Sequence, residues 1–247
     1  MKPLLGTPLE AGTPLSKGLV GAWLFNEGSG VPSNAIINDP ATNFNNMGDS
    51  NWIPGQVGGV LTFNGSDEAV VVKTPTQMNV SSGTIIARVR VNVSGSNDFW
   101  FGHNDSGNRI YLFSDSLTFF TRLGSTDQQT TGKSFTLGEW ATIAISWDGT
   151  DGYAYFQGDL VDTYAYSGLS SLNANIAFGS FGHSLGGFYW YGDGDYTYIY
   201  DHKLSDREIY DITIDPFQMW PTPKIPFFDY VPVVVSGNPW YYYANQN

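Results

Sequence analysis

Trp140-Ala141-Thr142-Ile143-Ala144-Ile145-Ser146-Trp147 runs into Asp148-Gly149-Thr150-Asp151-Gly152 and then Tyr153-Ala154-Tyr155-Phe156-Gln157. Ala141, Ile143, Ile145 and Trp147 share one side of a two-residue period, with Thr142, Ala144 and Ser146 on the other. That alternation marks a half-buried strand. The Asp/Gly cluster after it is turn chemistry, so the stretch predicts a hairpin. Upstream, residues 84–91 repeat the pattern, with Ile85, Ala87, Val89 and Val91 opposite Ile86, Arg88 and Arg90. Further strands are predicted at 19–25, 60–63, 69–73, 98–101, 109–113, 117–122, 153–157, 160–166, 176–181 and 189–201. Turn clusters such as Asn64-Gly65-Ser66-Asp67 and Asn104-Asp105-Ser106-Gly107-Asn108 separate them. Many short strands joined by turns predict an all-β sandwich or barrel.

One helix is expected. Ser205-Asp206-Arg207-Glu208 is a capping box followed by Ile209, Tyr210 and Ile212, and Pro216 ends it. The polar stretch 26–59 reads as an extended loop over the sheet, and no internal repeat of fixed period is present.

Composition sets the outer bounds. Of 247 residues, 41% are hydrophobic and only 14% charged, while aromatics reach 16%. Such a chain holds a sizeable core and is not a disordered one. A net charge of −12 would be repelled by a phosphate backbone, so nucleic acid is not an expected partner. With no cysteine, disulfides, thiolate catalysis and Cys-ligated metals are excluded. The start, Met1-Lys2-Pro3-Leu4-Leu5-Gly6-Thr7-Pro8-Leu9-Glu10, forms no apolar signal core. The longest late apolar run, 230–235, is too short to span a bilayer and is broken by Pro232.

Several segments together carry a resemblance. They are Leu15-Ser16-Lys17-Gly18-Leu19-Val20-Gly21-Ala22-Trp23-Leu24-Phe25, then Gly59-Val60-Leu61-Thr62-Phe63-Asn64-Gly65-Ser66-Asp67, and the hairpin from Trp140 to Gly158. The last is Asp195-Tyr196-Thr197-Tyr198-Ile199-Tyr200-Asp201-His202-Lys203-Leu204-Ser205. In this order they resemble a laminin-G-like, concanavalin A-like jelly-roll domain over roughly residues 15–220. The resemblance implies an antiparallel two-sheet jelly-roll sandwich with one short C-terminal helix. An N-terminal arm (1–14) and a Pro- and aromatic-rich tail (221–247) flank it. The Lys-Gly-Leu-Val-Gly opening and the Pro-Phe-Gln-Met-Trp close resemble copies common in bacteriophage and marine viral proteins. That implies a non-enzymatic virion structural protein, assembled in the host cytoplasm. A surface decoration, head-fibre or tail-associated module would fit. The competing reading is a carbohydrate-binding, lectin-like adhesion module, with a glycoside hydrolase third, since one such sandwich carries many functions.

Retaining glycosidases of this fold need two close carboxyl groups. Glu10, Glu27, Glu68, Glu139 and Glu208 are scattered, and Asp193 with Asp195 read as a turn. His103 and His183 fall in Gly-rich stretches and read as solvated loop histidines, so no catalytic residue is assigned. Calcium is the one candidate ion, as related sandwiches often hold one at a loop rim. Its oxygen ligands would come from Asp67, Asp148, Asp151, or Asp193 and Asp195. Glycan-binding candidates are Trp100, His103, Tyr189, Trp190 and Tyr191, because a sugar offers CH faces to aromatic rings. Assembly-interface candidates lie mostly in the tail: Trp220, Phe227, Phe228, Tyr230, Trp240, Tyr241, Tyr242 and Tyr243. So apolar a segment needs covering, by its own sandwich or by another chain, whether a virion protein or a second copy in a homo-oligomer.

Overall fold

A computed structural model describes residues 1–221, except 11, 38, 96–97, 106, 126–128 and 183–186. Two sheets stack into a sandwich. The larger has ten strands. Its main path runs Asp159–Ala165, Asp151–Phe156, Trp140–Trp147, Gly83–Val91, Tyr191–Tyr200, Leu19–Trp23, Ser33–Asn34 and Asp39–Pro40. Gly59–Asn64 branches from Tyr191–Tyr200 and pairs in turn with Trp52–Pro54. The smaller sheet has seven strands, ordered Gln129–Ser134, Thr118–Leu123, Asn108–Asp115, Asp98–Asp105, Ile176–Phe178, Ala69–Val72 and Asn43–Asn45. The central ladders are antiparallel. The last strand, Tyr191–Tyr200, lies between the first strand and Gly83–Val91, which is the return expected of a jelly roll.

The alternation seen in the sequence sets the layers. Ile143 faces Ala87 and Ile145 faces Ile85 across the ladder. These side chains meet Trp100, Phe101, Ile110, Leu112 and Phe178 of the seven-stranded sheet in the main core. The reverse face of the ten-stranded sheet is also covered. Ile86, Ala144, Tyr155, Tyr196, Tyr198 and Tyr200 pack there against Ile209, Ile212, Phe217, Met219 and Trp220. Burial of each such side chain contributes about 1.5–3 kcal/mol. The helix Asp206–Ile214 lays this second core down, and Ser205 caps it as expected. The Glu208 amide donates to Ser205 Oγ at 3.3 Å, and the Ser205 amide donates to Glu208 Oε2 at 2.8 Å. No helix among the described residues is long and apolar enough to cross a membrane.

Three expectations differ from what is observed, and one feature went unaddressed by them. The stretch 26–59 is not one loop, since it contributes Ser33–Asn34, Asp39–Pro40, Asn43–Asn45 and Trp52–Pro54 to the two sheets. The edge strand Gln129–Ser134 was not predicted, because its mostly polar side chains carry no apolar alternation. Asp193 and Asp195 lie inside Tyr191–Tyr200 and not in a turn. The N-terminal arm folds back on its own sandwich: the Lys2 amide donates to Val57 O at 3.1 Å and the Glu10 amide to Met219 O at 2.9 Å.

Candidate functional site

Asp193 and Asp195 form the densest ionic cluster, on the reverse face of the ten-stranded sheet. Strand alternation puts Asp193 and Asp195 on one side, and a register shift between Gly194 and Tyr196 leaves Asp195 unpaired and brings Tyr196 to that side as well. Cross-strand neighbours then neutralise both. Arg90 reaches Asp193 Oδ2 at 2.6 Å, and Asn92 Nδ2 donates to the same oxygen at 2.9 Å. Arg88 reaches Asp195 Oδ2 at 2.6 Å and Lys2 reaches Asp195 Oδ1 at 2.7 Å. Trp140 lies 4.9 Å from both guanidinium carbons. Both carboxylates are buried, at 0% and 1% exposed.

This arrangement does not fit a calcium site, since the cation partners are already protein side chains. Asp67 does not fit either, because Asn46 and Asn64 amides donate to its two carboxylate oxygens. Asp148 accepts from the Tyr153 hydroxyl at 2.6 Å and meets Lys203 at 3.2 Å. Among the described residues no three His, Cys, Asp or Glu side chains gather at metal-binding range.

The glycan candidates divide sharply. Trp100, His103 and Trp190 are wholly buried, so no ring face is left for a sugar. Trp100 packs edge-on against Phe25 and Phe63 and donates from its indole to Thr197 Oγ1. Its six-membered ring presses on Gly194, where any side chain would collide with it. His103 is a strand residue and not a solvated loop histidine, with Nδ1 at 3.1 Å from Asn108 O. Strand alternation and the shift near Trp100 decide this, and loop composition had pointed elsewhere. Tyr189 is half-buried and Tyr191 exposed at the start of its strand. Trp220, an interface candidate, is only 3% exposed and completes the second core against Tyr198. The remaining interface candidates and His183 lie outside the described residues.

A site not anticipated from the sequence lies on the outer face of the seven-stranded sheet. Phe99, Tyr111 and Phe113 form a buried aromatic cluster there, and Phe120 and Phe181 pack on it. Phe99 stacks on Phe113 at 4.6 Å and meets Tyr111 and Phe181 edge-on. The segment 180–182 crosses so close above Gly102 that a side chain at Gly102 would strike the Phe181 carbonyl. Phe188 closes the layer, 5.9 Å from both Phe99 and Phe181. Its backbone is left-handed, at φ 59°, and half its surface is exposed. Arg109 and Tyr111 share this outer face on Asn108–Asp115, and Arg122 stands directly across from Tyr111. Burial pushes the Tyr111 phenol up to about 12, against the pull of Arg109 and Arg122. Alternation of Arg109, Tyr111 and Phe113 was a legible signal, but which face of the strand stayed open was not.

A jelly-roll sandwich with aromatic and polar side chains along an outer sheet face defines the class. A family model described as the concanavalin A-like lectin/glucanases superfamily matches residues 64–210, and the chain belongs to that family. No curated protein matches the chain in sequence. Solved structures share the fold. Domain 4 of AbnA, a GH43 extracellular arabinanase from Geobacillus stearothermophilus in complex with arabinotriose, aligns with TM-score 0.62 and 17% identity. The match covers 79% of this chain and 98% of that domain. The Ruminococcus gnavus IT-sialidase CBM40 bound to alpha2,3 sialyllactose aligns with TM-score 0.53 and 15% identity, over 62% of this chain and 96% of that one. Trypanosoma rangeli sialidase in complex with the inhibitor DANA aligns with TM-score 0.64 and 15% identity, over 88% of this chain. Only 36% of that sialidase is matched.

Proposed function

We propose that this chain is a non-enzymatic carbohydrate-binding module whose ligand lies against the outer face of the seven-stranded sheet. Phe188 carries the reading. A bulky residue held at positive φ costs free energy, and such strain concentrates at functional positions. Here the strain presents a half-exposed ring beside Phe181, which suits the CH face of a sugar. The structural relatives that were solved with arabinotriose or sialyllactose support the same reading. The carboxyl pair of the last strand, Asp193 and Asp195, is buried and bound to cations, which does not suit a retaining acid and nucleophile. Calorimetric titration of the full chain with a panel of oligosaccharides tests the proposal. Binding at sub-millimolar Kd, weakened at least tenfold by Phe188→Ala, is the expected result. Turnover of any glycan in the panel would overturn the non-enzymatic part.

The second reading, a virion structural protein assembling through its termini, rests on its viral-like motifs and on one observation. Leu4 and Leu5 are 72% and 62% exposed and line a groove of about 600 Å³ that ends at Trp220, one residue before the tail 221–247. An exposed apolar surface of this kind suits a partner. A chain lacking residues 222–247 should still melt cooperatively yet fail to join its particle or oligomer. Unchanged assembly would remove the docking role.

A further inference from the structure

Among the described residues, the two arginines on the proposed sugar-binding face have no counter-charge. The chain has five arginines. Arg88, Arg90 and Arg207 are ion-paired to Asp195, Asp193 and Asp211. Among the described residues Arg109 and Arg122 make neither an ion pair nor a side-chain hydrogen bond, and the Nε of each is buried without a partner. Nor does an aromatic ring compensate them: the cation–π contacts belong to Arg88, Arg90, Lys203 and Arg207. Two unneutralised guanidinium groups on one sheet face of a protein of net charge −12 repel each other and have no shortage of acidic side chains to pair with.

Between them lies Tyr111. It is 1% exposed and its hydroxyl has no hydrogen-bond partner. Both guanidinium groups act electrostatically on it. Register places all three together: Arg122 faces Tyr111 across the ladder, and Arg109 precedes Tyr111 by two residues on the same face. A phenol is protonated at neutral pH and burial raises its pKa further, so the hydroxyl can donate. A polar group that the protein leaves unmatched is open to a ligand's partner atom.

We infer that the ligand carries an anionic group, a carboxylate or sulfate on a sugar, held by Arg109 and Arg122 with the Tyr111 hydroxyl donating between them. This deepens the carbohydrate-binding reading of the same face and rests on it. Guanidinium forks match the planar carboxylate and the sulfate oxygens, and Phe181, 5.0 Å from Tyr111, walls the anion in. The sugar ring would continue from there toward Phe188.

The test is calorimetry on the full chain with four probes: neutral xylo-oligosaccharides, oligogalacturonates, a sulfated hexasaccharide and inorganic sulfate. An acidic oligosaccharide is expected to bind at least tenfold more tightly than the neutral one, and less tightly as salt rises. Arg109→Gln and Arg122→Gln should each weaken it tenfold or more. Tyr111→Phe should weaken it several-fold without lowering the melting temperature, because the hydroxyl it removes has no partner. Neutral glycans binding equally well, with the arginine variants unaffected, would overturn the anionic inference and leave the glycan reading intact. No saccharide binding in any arm would overturn both. Inorganic sulfate binding as tightly as the sulfated hexasaccharide would overturn the role of the sugar.

Discussion

Lys2 Nζ stands 2.7 Å from Asp195 Oδ1, so the second residue of the chain reaches a carboxylate in the last strand. The same ammonium donates to the carbonyls of Leu24 at 2.7 Å and Asp195 at 2.8 Å. Both side chains are almost fully buried, at 3% and 1% exposed. Burial lowers the lysine pKa, and Asp195 pulls it back up. Removing one member of a buried pair leaves the other uncompensated, so Lys2→Met should cost about 3–5 kcal/mol in urea unfolding. The double variant with Asp195→Asn should be less destabilised than the sum of the two single changes. Additive effects would mean that the pair does not hold the arm down.

The limits of legibility show in these same residues. Period-two runs gave the strands, and the Ser205 box gave the helix start, because both signals are local. Burial of Asp193 and Asp195 was not legible, because it depends on arginines of the neighbouring strand and on a lysine from the far end of the chain. Trp100 and Trp190 looked like platforms since aromatic side chains serve cores and sugar sites alike. Arg109, Tyr111 and Arg122 went unnoticed for a different reason. Their proximity comes from pairing between strands, and the lack of a counter-ion is a property of the folded surface.

Trp100 and Trp190 yield a prediction that separates core from site. Their rings lie 5.9 Å apart at the centre of the main core. Trp100→Ala should therefore destabilise by about 3–5 kcal/mol through lost burial and a residual cavity. Glycan affinity, measured well below the lowered melting temperature, should change less than twofold. A stable Trp100→Ala protein with abolished binding would restore the tryptophan as a ligand contact.

The helix cap is a smaller effect. Ser205→Ala removes the acceptor of the Glu208 amide and should cost about 1 kcal/mol in denaturant unfolding. The cost is felt beyond the helix, because Ile209 and Ile212 anchor the second core under the tyrosines of the last strand. A midpoint unchanged within error would mean that the packing alone sets this helix in place.

Asp98 should make stability depend on pH in a direction opposite to ordinary acid denaturation. It begins the strand Asp98–Asp105, is 7% exposed, and has one carboxylate oxygen without a partner. Burial raises its pKa from 3.8 to about 6, Asp115 adds repulsion, and the Gly95 amide opposes the shift. Between these two values the folded protein keeps a proton that the unfolded chain has released. Folding stability from this group therefore falls as pH climbs through that window, and the full penalty stands above about pH 6. Two units correspond to at most about 3 kcal/mol. Asp98→Asn removes the charge and keeps an oxygen for the Gly95 amide. At pH 7.5 the variant should unfold at a higher urea concentration than the parent, and at pH 4 the two should nearly coincide. Other carboxylates titrate in both proteins, so the difference between the two urea midpoints isolates Asp98. A difference that stays constant from pH 4 to pH 7.5 would show that the side chain is ionised throughout and that its burial costs nothing.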